Sequence, residues 1–398
     1  MIRMIFMKKI AVILGCVVGA LAIAAGACTL ANTINAADMN DYIDTFGAVK
    51  IENQLTPTLD EHGNAYFTTD EDFKVLHLTD IHIGGGFLSA DTDKQVINAV
   101  AAMIGAERPD LVVVTGDISF PVPWIGTINN AYAHGFMKRL MENLGVYWTV
   151  ALGNHDSEAY NFYDREKVAE MYLDPSLKYC LFDSAEGISG EGNHVINVKN
   201  SDGKITQSFY MIDTHSYTDS DPLGIMWDYD CIKEDQIDWY KNTVEMYNEE
   251  NGEVVKSLMF FHIPLAEVKL AHDEYVNNNR QNTENTTFIS GNDGEDTYCS
   301  KIEENMFETV LELGSTEAMF FGHDHVNNYM IDYKGVIFSY GYSMDYLAYS
   351  GIAGKGYQRG CTVITVSPDS SFEIVHENYY QDKYVPLYEK EIVDMSKE

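Results

Sequence analysis

Five short stretches of this chain gather the residue types that bind metals or move protons. They are Asp80-Ile81-His82, Gly116-Asp117, Gly153-Asn154-His155-Asp156, His262, and Gly322-His323-Asp324-His325. Carboxylate, amide and imidazole donors without sulfur suit ions such as Mn, Fe or Zn. Unpaired polar groups are costly to bury, so an apolar core alone gives no reason for the set. Each piece has an ordinary reading when taken singly. Gly-Asp after an apolar run is usually a turn, and Asn154-His155-Asp156 also suits a helix cap. A lone histidine such as His262, before Pro264, is more often a satisfied core or surface residue. Metal chemistry is indicated by the ordered conjunction, because every piece follows an apolar run.

Those runs are the elements that must hold the donors. Phe73–Leu78 is strand-like and ends at Thr79-Asp80. A helical pattern from about Asp91 to Ala106 puts Val96, Ile97, Val100 and Ile104 on one face. Leu111–Val114 is a continuous apolar run, suited to a strand buried on both faces. A helix over Ala131–Leu144 leads to a strand over Tyr147–Leu152. The β-α-β-α-β order predicts an α/β fold. Further strands are expected at Ser208–Asp213, Ser257–His262 and Ala318–Phe321, and helices at Glu234–Tyr247 and Ile302–Leu313. Tyr329–Ile374 reads as strand-rich, and Asn277–Asp296 as a long surface loop. In open α/β sheets, sites collect beyond the carboxyl ends of strands, which is where each polar burst falls.

The ordered set resembles the calcineurin-like metallophosphoesterases, over about Phe73 to Tyr380. Within them it is most similar to the purple-acid-phosphatase-related branch of the small, Dcr2-like kind. That likeness lies in His262-Ile263-Pro264-Leu265, in Gly322-His323-Asp324-His325 followed by Asn327-Asn328, and in Arg359-Gly360. The resemblance implies a four-layer α/β/β/α sandwich of two mixed sheets around two adjacent metal ions, divalent or trivalent. Asp80, His82 and His325 would hold the first, Asn154, His262 and His323 the second, and Asp117 would bridge them. Two such ions, about 3.5–4 Å apart, activate a shared water and hold both ends of an in-line displacement at phosphorus. His155 matches the family's non-ligand histidine, able to protonate the leaving oxygen. Asp156 is expected to set the turn. Phosphomonoester hydrolysis is favoured. A phosphodiesterase acting on nucleotides or lipid head groups is the alternative, and a non-catalytic cell-surface binding protein on the same metal scaffold is a third reading.

Two departures narrow the resemblance. Purple acid phosphatases carry a Tyr three residues after the bridging Asp, where this chain has Phe120, so no iron-tyrosinate colour is expected. Ile118–Asn130 contains no Arg, unlike the signature of the calcineurin-type protein phosphatases. Other residues stay open at this point. Trp124, Asn129 and Asn130 line the pocket mouth or serve the loop. Tyr342, Tyr346 and Tyr349, with Gly351, Gly354 and Gly356, form an aromatic flap or a Gly-rich bend. Arg359 is expected in a surface salt bridge, with phosphate binding as the other option.

The 398 residues include 26 Lys+Arg and 61 Asp+Glu, a formal net charge of −35. That counts against a nucleic-acid surface, which needs a basic face. With 45% hydrophobic and 12% aromatic residues, a sizeable core can form. Arg3, Lys8 and Lys9 precede an apolar run from Ile10 to Ala27, followed by small residues near Ala36-Ala37. This fits a cleaved export signal first, then a lipid anchor at Cys28, then a retained helix. All three place the chain outside the cytoplasm, secreted or attached to the envelope. The expected organisation is a signal or anchor over 1–37, a polar lead-in over 38–72, one catalytic domain over 73–380 and a tail over 381–398. Cys180, Cys231, Cys299 and Cys361 allow three pairings or free buried thiols. Nothing in the sequence sets an oligomeric state.

Overall fold

The computed structural model describes residues 2–349, 351–353 and 359–393. The helices are α1 (Ile2–Ile43), α2 (Ala90–Glu107), α3 (Ala131–Leu144), α4 (Arg165–Tyr172), α5 (Glu234–Asn251), α6 (Ala266–Asn277) and α7 (Met306–Leu313). The strands before the chain's midpoint are β1 (Thr58–Leu59), β2 (Ala65–Thr68), β3 (Phe73–Leu78), β4 (Leu111–Thr115), β5 (Trp148–Ala151) and β6 (His194–Lys199). Those after it are β7 (Ile205–Met211), β8 (Ser257–Phe260), β9 (Thr286–Ser290), β10 (Thr316–Phe321), β11 (Met330–Tyr333), β12 (Val336–Tyr340), β13 (Gly360–Val366) and β14 (Phe372–Asn378).

They form two mixed sheets. The five-stranded sheet has the order β14-β13-β3-β4-β5, and the nine-stranded sheet β1-β2-β6-β7-β8-β10-β12-β11-β9. β3, β4 and β5 are parallel, as are β7, β8, β10 and β12. The residues of β4 show why the layers stack. Leu111 and Val113 enter a core between the sheets with Phe73, Phe209, Phe260 and Phe320. Val112 and Val114 enter a second core beneath α2 and α3, with Val96, Val100 and Leu140. Both faces are buried, so the strand has no polar side; each such Val contributes about 1.5–3 kcal/mol. A third core packs Ile237 and Tyr240 of α5 and Phe307 of α7 on Met259, Met319 and Phe338. The layers therefore run helix, sheet, sheet, helix.

Local structure adds detail to three expectations. The leader expected over 1–37 and the start of the lead-in share one helix: α1 runs to Ile43, and Ala36, Met39, Ile43 and Phe46 are buried in the core beneath α2 and α3. The stretch Asn277–Asp296 is not all loop. Its Thr-Thr-Phe-Ile-Ser segment, rich in β-branched residues, forms edge strand β9 against β11. Part of the tail expected over 381–398 packs on the domain, with Tyr384 buried and the Tyr388 ring 4.7 Å from Tyr42. Among the described residues, all six cysteines are free thiols.

Candidate metal centre

Five parallel strands from two sheets end on one spot. β3 delivers Asp80 and His82, β4 Asp117, β5 Asn154 and His155, β8 His262, and β10 His323 and His325. Sharp backbone turns aim these side chains. Asp80, His82, Asp117 and His323 all have positive φ, at 50°, 54°, 50° and 76°, a conformation costing about 1–3 kcal/mol for a non-glycine residue. The glycine before a donor is fixed by space. A Cβ on Gly322 would fall on the Thr79 hydroxyl and the Asp80 carboxylate, and one on Gly153 on the Asp117 carboxylate.

The donors make two groups that share one residue. Ligand atoms of Asp80, His82, Asp117 and His325 lie within 4.8 Å of one another, and so do those of Asp117, His262 and His323. His82 Nε2 is 3.4 Å from Asp117 Oδ2, and His325 Nε2 is 3.4 Å from Asp80 Oδ1. His262 Nε2 is 3.1 Å from Asp117 Oδ2 and 3.2 Å from Asn154 Oδ1. Its Nδ1–H donates to the Thr115 carbonyl at 2.7 Å. Asn154 Nδ2 donates to Tyr217 at 3.0 Å, which turns its Oδ1 toward the cluster. The amides of His155 and His323 donate to Asp117 and Asp80 at 2.8 and 3.2 Å.

This donor set fits metal ions. Asp80 and Asp117 are fully buried, and among the described residues only histidines stand at ion-pair distance from them. Burial pushes both carboxyls up, but the imidazoles, His325 beside Asp80 and His262 beside Asp117, hold them below the usual range. Burial, then the neighbouring His262, drives His323 far down, so its ring is neutral and free to donate a lone pair. Burial lowers His82, His262 and His325 too, but the facing carboxylates outweigh it and raise all three, and metal ions bound here would take the place of those ring protons.

Asp345, which sequence reasoning did not pick out, stands behind this cluster. Its Oδ2 lies 3.3 Å from His325 Nδ1 and 3.6 Å from His82 Nδ1, and neither nitrogen has another partner. Burial raises its carboxyl, yet those two rings hold it well below the ordinary value. The same carboxylate accepts the amides of Leu347, Ala348 and Tyr349 at 2.6, 2.8 and 2.6 Å. An Asp in a Ser-Met-Asp-Tyr run carries no local signal, since the strand end that brings it here is distant in sequence. Glu158 was also missed. It accepts His155 Nδ1–H at 2.6 Å and leaves Nε2 for the cavity that the ring lines. A Glu three residues after a candidate proton donor was the available clue.

The remaining expected residues divide by position. Phe120 stacks on His82 at 4.8 Å and meets His155 edge-on at 5.0 Å. Asp156 accepts the amides of Gly153, Asp117 and Ser119 at 2.8, 3.0 and 3.0 Å, lacing the β4 and β5 turns together. Asn130 bonds the carbonyls of Asp156 and Tyr163, so it serves the loop. Trp124 is 75% exposed and lies outside the cavity lining. Of the three tyrosines, Tyr349 lines the cavity with its ring 4.6 Å from His325, while Tyr346 is buried beneath the Arg359 guanidinium. Gly354 and Gly356 fall outside the described residues. Arg359 is buried, not on the surface: it pairs with Glu391 and bonds Tyr380 and the Asp345 carbonyl. It fastens the C-terminal segment and cannot reach a phosphate in the cavity. That cavity, about 320 Å³, is lined by the aromatic residues Phe120, Tyr217, Trp227, Tyr229, Tyr298 and Tyr349 and by His155, His323, His325, Glu295 and Asp324.

Residues 73–327 match the calcineurin-like phosphoesterase family. The chain is 27% identical over 307 residues to the Arabidopsis thaliana protein named probable inactive purple acid phosphatase 28, covering 71% of this chain and 73% of that one. It is 27% identical over 332 residues to probable inactive purple acid phosphatase 29 of the same organism, covering 75% and 78%. A crystal structure of a dimetal phosphatase from Danio rerio aligns at 13% identity with a TM-score of 0.47, covering 78% and 98%.

Proposed function

The chain belongs to the calcineurin-like phosphoesterase family, and on that premise we propose that this metal-dependent phosphoester hydrolase acts on phosphate monoesters outside the cytoplasm. Asp80, His82 and His325 would hold one ion, Asn154, His262 and His323 the other, and Asp117 both. The reading rests on one observation: the donors form two groups, and Asp117 is the residue common to them. Bound metals supply Lewis acidity for displacement at phosphorus.

The chain's own residues do the rest. The Asp345 carboxylate fixes the rings of His82 and His325, and Phe120 keeps His82 from turning by stacking on it. Glu158 sets which nitrogen of His155 faces the cavity, and from there Nε2 delivers a proton to the leaving oxygen. With the two ions in place, the expected reaction is a single displacement by water, assisted by His155. A cavity of this size, lined mainly by aromatic side chains, has room for the phosphate and the adjoining part of its ester.

The relatives' names contain the word inactive, which favours a second reading as a binding protein on the same scaffold. Against it, the seven expected donors and His155 are all present in the sequence, and six of the donors fall in the two groups. Hydrolysis of a chromogenic monoester and its diester counterpart by the Mn-loaded protein, beside Asp117→Asn, separates the readings. Metal-dependent turnover that vanishes in the variant supports the enzyme, and the preferred ester identifies its class. Two bound metals with no turnover of either ester refute hydrolysis.

A further inference from the structure

The direction of α1 decides which face of the domain meets a membrane. α2 and α3 both start at the metal-site end of β3, β4 and β5 and run away from it. α1 runs the same way. The Phe87 amide donates to Asn32 Oδ1 at 3.0 Å near the site end, and Asn143 at the end of α3 donates to the Ile43 carbonyl at 3.2 Å. The apolar N-terminal part of α1 therefore leaves the domain from the end that carries the metal centre.

That part is built to span a bilayer. Leu14, Val17, Val18, Leu21 and Ile23 are all more than half exposed on one continuous helix, and an apolar run such as Ile10–Ala27 is about one hydrocarbon thickness long. Arg3, Lys8 and Lys9 precede it, and Asp38 is the first charge after it. Cleavage at Ala36-Ala37 would cut a helix whose Asn35 and Ala36 are already buried against the domain. There is also no stalk. From Ala27 to Asn32 the helix climbs only about 7.5 Å, and Asn32 already touches the loop that leaves His82.

Two of the three loops on that side are apolar and uncharged in a chain of net charge −35, while Asp164 stands exposed beside Phe162 in the third. Phe87, Leu88, Trp124 and Phe162 are 41%, 56%, 75% and 68% exposed. Their loops adjoin: Thr127 donates to Gly84, and Phe162 to Ile128. No Asp, Glu, Lys or Arg occurs between Ile81 and Ala90 or between Ile118 and Met137. Charges and aromatic residues sort in this manner at a bilayer surface. We propose that α1 is kept as a membrane anchor and that this rim seats in the lipid interface, so that the metal site opens at headgroup level and takes phosphate esters borne on lipids. The substrate class rests on the hydrolytic reading given above; the seating does not.

The full chain is reconstituted in phosphatidylcholine vesicles containing lipid brominated high on the acyl chain, and tryptophan quenching is compared with Trp124→Phe. Seating predicts quenching in the wild type that is lost in the variant. Equal quenching of both proteins, or none in either, overturns it. A Phe87→Ser, Leu88→Ser double variant then separates the substrates. Turnover of a soluble monoester is expected to be unchanged, while hydrolysis of phosphatidic acid in vesicles falls by about tenfold or more for the apolar burial removed. Unchanged hydrolysis of the vesicle ester overturns the lipid substrate class. Quenching without turnover of either ester upholds the seating and refutes hydrolysis instead.

Discussion

Replacing Asp345 by Asn tests whether the metal centre is organised from behind. The change keeps the side chain's volume, but the carboxylate accepts on both sides. Its Oδ1 takes the amides of Leu347 and Ala348, and its Oδ2 faces His82, His325 and the Tyr349 amide. An Asn can offer oxygen to only one of these sets, and its NH₂ then points a donor at donors. If the loop keeps the oxygen, both imidazoles lose the acceptor that fixes their tautomer and orientation. Loss of such a partner typically costs about 10–100-fold in metal affinity, or about 1.4–2.7 kcal/mol. His82 and His325 belong to the same donor group, so the loss should fall on one ion and spare the other. Calorimetric titration with Mn or Zn reads both sites. One site weakened while the other is preserved is the expected result. Unchanged binding at both would refute the positioning role, and equal weakening at both would show that the loop, not the rings, depends on Asp345.

Four further outcomes follow from the same geometry. Asp117→Asn removes the donor common to both groups, so turnover should vanish and both sites weaken in the same titration. His155→Ala should keep both metals and lose about 10²–10⁴ in kcat, with metal loss showing instead that His155 is a ligand. Chelation should destabilise the protein, because ion at about 100 times its Kd adds about 2.7 kcal/mol per site; a melting temperature indifferent to chelator contradicts the site. Burial pushes the Asp93 carboxyl up to about 7 even though Gly84, Gly85 and Ser89 donate to it. Its raised folded value means that this group's stabilisation is complete below pH about 4 and is lost as pH rises toward 7. Relative to Asp93→Asn, wild-type stability in urea should therefore fall across that window, and parallel profiles would disprove it.

The strands that carry the donors were legible because each contains an apolar run that stops at a polar turn. Phe73–Leu78, Leu111–Val114 and Ala131–Leu144 needed no more than periodicity and the breaks around them. Edge strand β9 was not legible, since a half-exposed strand beside a loop rich in Asn and Thr has no continuous apolar run. The eight residues of the expected site came from the family resemblance, which their order along the chain carries even though strand ends meet only in space. Asp345 could not be named as a partner, because its work lies in distances to ring nitrogens that no spacing encodes, whereas Glu158 had its three-residue spacing from His155 as a clue. Arg359 shows the reverse error, a cation expected at the surface that three-dimensional packing buries beneath the C-terminal segment. Donor types, their order and an apolar N-terminus are read directly from the residues. That Asp117 stands between two groups, and that α1 leaves the domain on the metal-site side, emerges with the fold alone. Both depend on the relative placement of sheets and helices, which is set by packing across the layers and not by any local pattern.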